Sequence, residues 1–150
     1  MTHKEKAREN FLNGCNCSQA VFAAFCDVTG MQTEQALRLA SSFGGGLGRL
    51  REVCGAVSGM AMVAGELWGY SSVQDKQAKK EHYALIQSLA SDFRQRHGSI
   101  VCREILSGDV SSSGEPTERT PEFYNSRPCL RCVEDAAEIL DDMIARKGAL

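Results

Sequence analysis

The stretch DKQAKKEHYALIQSLASDFRQRH, residues 75–97, decides the reading of the fold. Tyr83, Ile86, Leu89, Ala90 and Phe93 fall on one stripe, with Lys79, Lys80, Gln87 and Arg94 on the other side. That is the pattern of an amphipathic α-helix with one face on a core. Gly98 stands where such a helix stops.

The same period runs outward in both directions. A first helix is expected over residues 4–12. A second starts after Asn16, a good N-cap, and sets Ala20, Val21, Ala24 and Phe25 on one face before Gly30. Thr33 caps a third through Ser42, with Ala36, Leu37, Leu39 and Ala40 inward. FGGGLGRLR, residues 43–51, is a break and reads as a flexible turn, since no strand precedes it and no Lys-Ser/Thr follows it. A fourth helix, over residues 52–67, carries Gly55, Ala56, Gly59, Ala61, Ala64 and Gly65 in place of bulky residues. Each interior glycine costs about 1 kcal/mol relative to alanine. The return expected for that cost is close approach, by another helix or by a bound group. Beyond Gly98, Ser99 caps a short helix through Leu106, residues 107–128 form a long connection holding all three prolines, and a last helix over residues 130–146 faces Val133, Ala136, Ala137, Leu140, Met143 and Ile144 inward. No segment alternates with the period of a strand. The expected fold is all-α, a compact bundle of about six to seven helices forming a single domain over residues 1–150.

Composition removes several function classes. A net charge of −2 with no Lys/Arg-rich tract lacks the footprint of a nucleic-acid binder. No apolar run approaches the roughly 18 residues of a membrane span. The opening MTHKEKARENFLNG has no apolar leader segment, so the expected location is the cytoplasm. Thiols are kept reduced there, and seven cysteines then call for metal binding or catalysis rather than structural disulfides.

Four of them stand at or near expected helix starts: Cys17 after Asn16, Cys54 opening the glycine-rich helix, Cys102 after Ser99, and Cys129 after Pro128. The positive end of a helix favours a thiolate, the form that attacks disulfides and binds metals. Cys26 sits on an apolar helix as a packing residue. Cys15 makes C-x-C with Cys17, and Cys132 makes C-x-x-C with Cys129, a spacing shared by dithiol pairs and half zinc sites. His82 and His97 read as structural, and Arg51 and Glu52 as tuners of Cys54 or as solvated charges.

The segments N-C-S-Q-A-V (16–21), F-G-G-G-L-G-R-L-R-E-V-C-G-A-V-S-G (43–59), C-R-E-I-L-S-G (102–108) and C-L-R-C-V-E-D-A-A-E-I-L (129–140) resemble a family of redox-active proteins named for the pattern C, G-C-A-x-x-G, C, C (C_GCAxxG_C_C). The resemblance spans nearly the whole chain. It implies a compact helical domain with four family cysteines, matching Cys17, Cys54, Cys102 and Cys129. The central motif reads C-G-A here where the family name gives G-C-A, and Cys15, Cys26 and Cys132 depart from the pattern.

The leading expectation is a thiol redox protein, a candidate thiol-dependent oxidoreductase, in which two or more of these four cysteines cycle between dithiol and disulfide with Cys54 central. An alternative has the same four thiolates hold Zn²⁺ or an iron–sulfur cluster, and another is a helical interaction module whose cysteines only pack. The partner is a redox protein or a small molecule of unspecified kind. The apolar faces of so many short helices are compatible with a homodimer.

Overall fold

The computed structural model of the chain describes residues 1–108 and 110–148. It is 67% helical. Among the described residues there are nine helices and no strand, the nearest approach to one being an isolated antiparallel bridge between Val53 and Val101. The all-α expectation holds.

Local chemistry sets most of the helix starts. α1 (His3–Leu12) and α2 (Cys17–Ala24) each begin with a capping box, Thr2 with Glu5 and Asn16 with Gln19, in which side chain and backbone satisfy each other's amides. The expected helix from 17 to 29 breaks at Phe25, so α3 (Cys26–Thr29) is a separate turn ending at the left-handed Gly30. α4 (Thr33–Ala40) starts with Thr33 inside the helix rather than as its cap. Only Ala36 and Ala40 of its expected inward face are buried, and Leu39 is exposed. α5 (Gly55–Trp68) begins three residues later than expected because Val53 is drawn into the bridge with Val101. α6 (Lys76–His97) buries Leu89 and Phe93 but leaves Tyr83 exposed, edge-on to Tyr70. α7 (Cys102–Leu106) follows Ser99, whose hydroxyl accepts from the Val101 amide.

Residue 109 of the expected connection over 107–128 lies outside the described residues, and the rest of that connection contains a further helix, α8 (Pro121–Ser126). Thr120 caps α8 and Pro121 occupies its first turn, a start signal in its own right. α9 (Cys129–Lys147) closes the chain.

One core cluster runs through these elements, with Phe11, Phe22, Phe25, Met60, Leu89, Phe93 and Leu140 almost fully buried. α2 lies at its centre, against α1, α4, α5 and α9. Lys4 to Glu138 (3.1 Å) and Arg8 to Glu134 (3.5 Å) tie α1 to α9.

The glycines of α5 set the distance to α2. A Cβ on Gly55 would stand 3.1 Å from the Cys17 Cβ, and one on Gly59 would stand 2.8 Å from the Ser18 carbonyl oxygen. The close approach expected from the sequence is therefore made by a helix. Gly65 has nothing within 4 Å of the same position. Gly59→Ala is accordingly expected to lower stability by about 1–3 kcal/mol through overpacking, and Gly65→Ala to raise it by about 0.5–1 kcal/mol through helix propensity. Denaturant melts of the two variants check this, and the opposite order would refute the packing argument.

Candidate functional site

Helix packing converts sequence separation into proximity. Cys17 is the first residue of α2, Cys54 precedes α5, Cys102 is the first residue of α7, and Cys129 is the first residue of α9. These four, with Cys132, line a single small cavity of about 30 Å³ together with Arg51. Backbone contacts fix part of the arrangement: the Cys54 amide donates to the Ile100 carbonyl (2.8 Å) and the Cys102 amide to the Glu52 carbonyl (2.6 Å). Cys15 and Cys26 lie outside this cavity, and all seven thiols are free.

Within the cluster the thiols pair. The neighbouring Cys129 thiol raises the Cys17 pKa well above its ordinary value, with burial and the other thiols adding to the effect. Cys129 is lowered to about 7 by the Cys17 thiol beside it, against the opposing effect of burial and with help from Arg127, Arg51 and Arg119. Cys54 is lowered by the neighbouring Cys132 thiol, and the Ala56 and Val57 amides at the start of α5 favour its thiolate further. Cys132 is pushed far up by the Cys54 thiol and by burial. Burial also raises Cys102, although the Arg51 guanidinium lies 3.9 Å from its sulfur. A helix start alone therefore does not make a thiolate here, since Cys17 and Cys102 share that placement yet shift the other way.

Cys132 and His97 take places in the site that the sequence reading did not give them. Cys132 stands one helical turn after Cys129, so both project from the same face of α9, and the C-x-x-C spacing was the available signal. The Cys132 sulfur lies 3.7 Å from His97 Nδ1. His97 Nε2 donates to Asp135 (2.8 Å), a buried carboxylate that also meets Arg96 at 3.2 Å and Arg131 at 3.6 Å. A thiol, an imidazole and an orienting carboxylate thus stand in line.

The second expected chemistry was a metal. Among the described residues, no group of three or more His, Cys, Asp and Glu side chains is arranged to hold one ion. No step is derived through Zn²⁺ or an iron–sulfur cluster.

The loop before the cluster is unusual. Residues 45–49 and residue 51 all have positive φ, including the non-glycines Leu47 (71°), Arg49 (66°) and Arg51 (64°). Its amides reach back six residues, Gly48 to Ser42, Arg51 to Gly45 and Glu52 to Gly46. Gly46 cannot carry a side chain, since its Cβ would stand 2.8 Å from the Cys102 Cβ. The loop delivers Arg49 and Arg51 to a larger, open pocket of about 430 Å³ with Cys17 and Cys129 in its wall.

Because Cys129 is lowered to about 7, its thiolate fraction rises with pH through that value. Cys26, raised by burial, becomes a thiolate only above the ordinary thiol range of about 8.5. Alkylation by iodoacetamide, followed by peptide mass spectrometry across a pH series, should give a half-maximal rate near pH 7 at Cys129 and a still-climbing rate above pH 9 at Cys26. Matching profiles for the two would contradict the assigned environments.

No curated protein and no solved structure matches the chain. The sequence profile of the family described as "Putative redox-active protein (C_GCAxxG_C_C)" matches residues 15–143. With most of its length covered and a cysteine cluster at the helix starts that this pattern marks, the chain belongs to the C_GCAxxG_C_C family.

Proposed function

We propose that this protein is a dithiol redox protein working through two cysteine pairs, Cys17 with Cys129 and Cys54 with Cys132. The observation that carries the reading is the gathering of these four thiols around one small cavity, with one thiol of each pair lowered and its neighbour raised. Dithiol chemistry needs a thiolate to attack and a second thiol to resolve.

The balance is that of thiol–disulfide exchange. The Cys129 thiolate attacks one sulfur of a disulfide substrate, forming a mixed disulfide and releasing the first thiolate. Cys17 then gives up its proton and attacks the Cys129 sulfur, forming the Cys17–Cys129 bond and releasing the second thiolate. The protein gives up two electrons and the one proton of Cys17, and the substrate disulfide becomes one thiol and one thiolate. The outer pair lies in the wall of the open pocket, whereas Cys54 and Cys132 line only the small inner cavity. The inner pair regenerates the outer dithiol by a second exchange, which moves the disulfide inward without net electron change. His97 is positioned to accept the proton that Cys132 loses in that step, and Asp135 stabilises the resulting imidazolium.

Equilibration in graded dithiothreitol redox buffers, with alkylation and disulfide mapping by mass spectrometry, tests this reading. The expected result is two successive two-electron steps, with a Cys54–Cys132 linkage first, because the pair that reduces the other has the lower potential, a Cys17–Cys129 linkage second, and Cys15 and Cys26 still open to alkylation. Absence of any intramolecular linkage among these four would overturn it. So would a stoichiometric metal in protein purified under argon that is lost when any single cluster cysteine is changed to Ser.

A further inference from the structure

The open pocket has an electrostatic character that thiol exchange alone does not require. Arg49, Arg51, Arg119 and Arg127 all line it, and no Asp or Glu does. None of the four makes an ion pair among the described residues. Glu115 is the acidic side chain acting on Arg49, and that arginine is pulled below its ordinary pKa by burial and by its neighbours Arg51 and Arg127. Among the described residues, like charges are gathered here with no anion in an ion pair with any of them.

Arg51 makes the argument specific. It is only 3% exposed, and its Nη2 is buried with no hydrogen-bond partner. Its Nε donates to the Ser111 carbonyl and its Nη1 reaches toward Cys102, which fixes the side chain and leaves Nη2 as an unused donor. An unsatisfied buried donor of this kind is costly, the more so when charged, unless a ligand takes it up. Arg119 is held by the Phe11 and Cys15 carbonyls and stacks on Phe11 and Phe123, so aromatic rings and guanidinium groups share one wall.

We propose that this pocket binds a low-molecular-weight disulfide bearing two or more carboxylate groups, presenting its sulfur–sulfur bond to Cys129. The inference rests on the dithiol reading for its chemistry and adds the class of substrate. A volume of about 430 Å³ exceeds what a lone tetrahedral oxyanion fills and lies in the range of small-molecule sites. The aromatic wall suits an organic body between the charged ends. Arginine matches carboxylates with paired, charge-assisted hydrogen bonds.

The test compares two probes on the fully reduced protein at low ionic strength, 3,3′-dithiodipropionate, which is dianionic, and bis(2-hydroxyethyl) disulfide, which is neutral. Without a receptor for the carboxylates, repulsion makes a thiolate attack the dianion more slowly. Here the dianion is expected to oxidise the protein at least about tenfold faster, with the ratio of the two rate constants falling about fivefold or more in Arg127→Gln. The ratio cancels any change in the acidity of Cys129. Arg146→Gln, which removes the same charge from the far end of α9, should leave the ratio unchanged.

Calorimetric binding of dithiodipropionate to Cys17→Ser/Cys129→Ser reads the pocket without any electron transfer. If both probes react equally and no binding heat appears, the pocket inference falls and the dithiol reading stands. If the dianion binds, and binding is lost in Arg127→Gln, while no protein disulfide ever forms, the reverse holds. Tighter binding of inorganic phosphate than of dithiodipropionate would assign the arginines to a small oxyanion and overturn the proposal.

Discussion

The close approach of α2 to α5 is the constraint on which the site depends. Gly55 and Gly59 leave no side chain between the helices, so the start of α2 lies directly on the start of α5 and Cys17 is brought against the turn that holds Cys54. Glycine in a helix is conformationally expensive, and the return is positional: two helix starts, and hence two thiols, share one end of the packing interface. α9 then packs on both α2 and α5 and adds Cys129 and Cys132 from a single face. A wider interhelix gap would separate the outer pair from the inner one.

A second constraint is the loop over 44–51. Non-glycine residues held at positive φ cost of order 1–3 kcal/mol each, and Leu47, Arg49 and Arg51 all adopt it. The six-residue hydrogen bonds and the bridge from Val53 to Val101 hold the loop in that form. This conformation puts the buried guanidinium of Arg51 between the two cavities, where it acts on Cys102 and on Cys129 at once. Strain and charge are concentrated at the same point of the fold.

Much of the fold was legible because the helices are amphipathic or capped by residues whose chemistry is local. Asn16, Gly30 and Gly98 act as a reader of the sequence would expect. The deviations arise where tertiary contact overrides local preference. Leu39 and Tyr83 keep the right period but fall beyond the edge of what the neighbouring helices cover, and the start of α5 is set by a bridge to a residue far along the chain. Of the site, the convergence of helix starts was readable, but the partner of each thiol was not. Cys132 lies inside a helix rather than at its start, and its importance comes from meeting Cys54 and His97, neither of which is near it in sequence.

The acidity of the thiols shows why placement at a helix start was an incomplete guide. The dipole of a helix gives about 0.3–1 kcal/mol at an exposed end and up to about 2 kcal/mol at a partly buried one, and burial of a thiolate together with a neighbouring thiol can outweigh that. Of two neighbouring thiols, one takes the charge and the other keeps its proton, so lowering one pKa raises the other. For the outer pair the arginines decide which is which. Arg127, Arg51 and Arg119 all favour the thiolate on Cys129, leaving Cys17 as the protonated partner. For the inner pair the decision falls to the Ala56 and Val57 amides, which favour Cys54, while the carboxylate of Asp135 disfavours a charge on Cys132. The two pairs therefore reach the same asymmetry by different means, side-chain cations at the open pocket and backbone amides in the inner cavity.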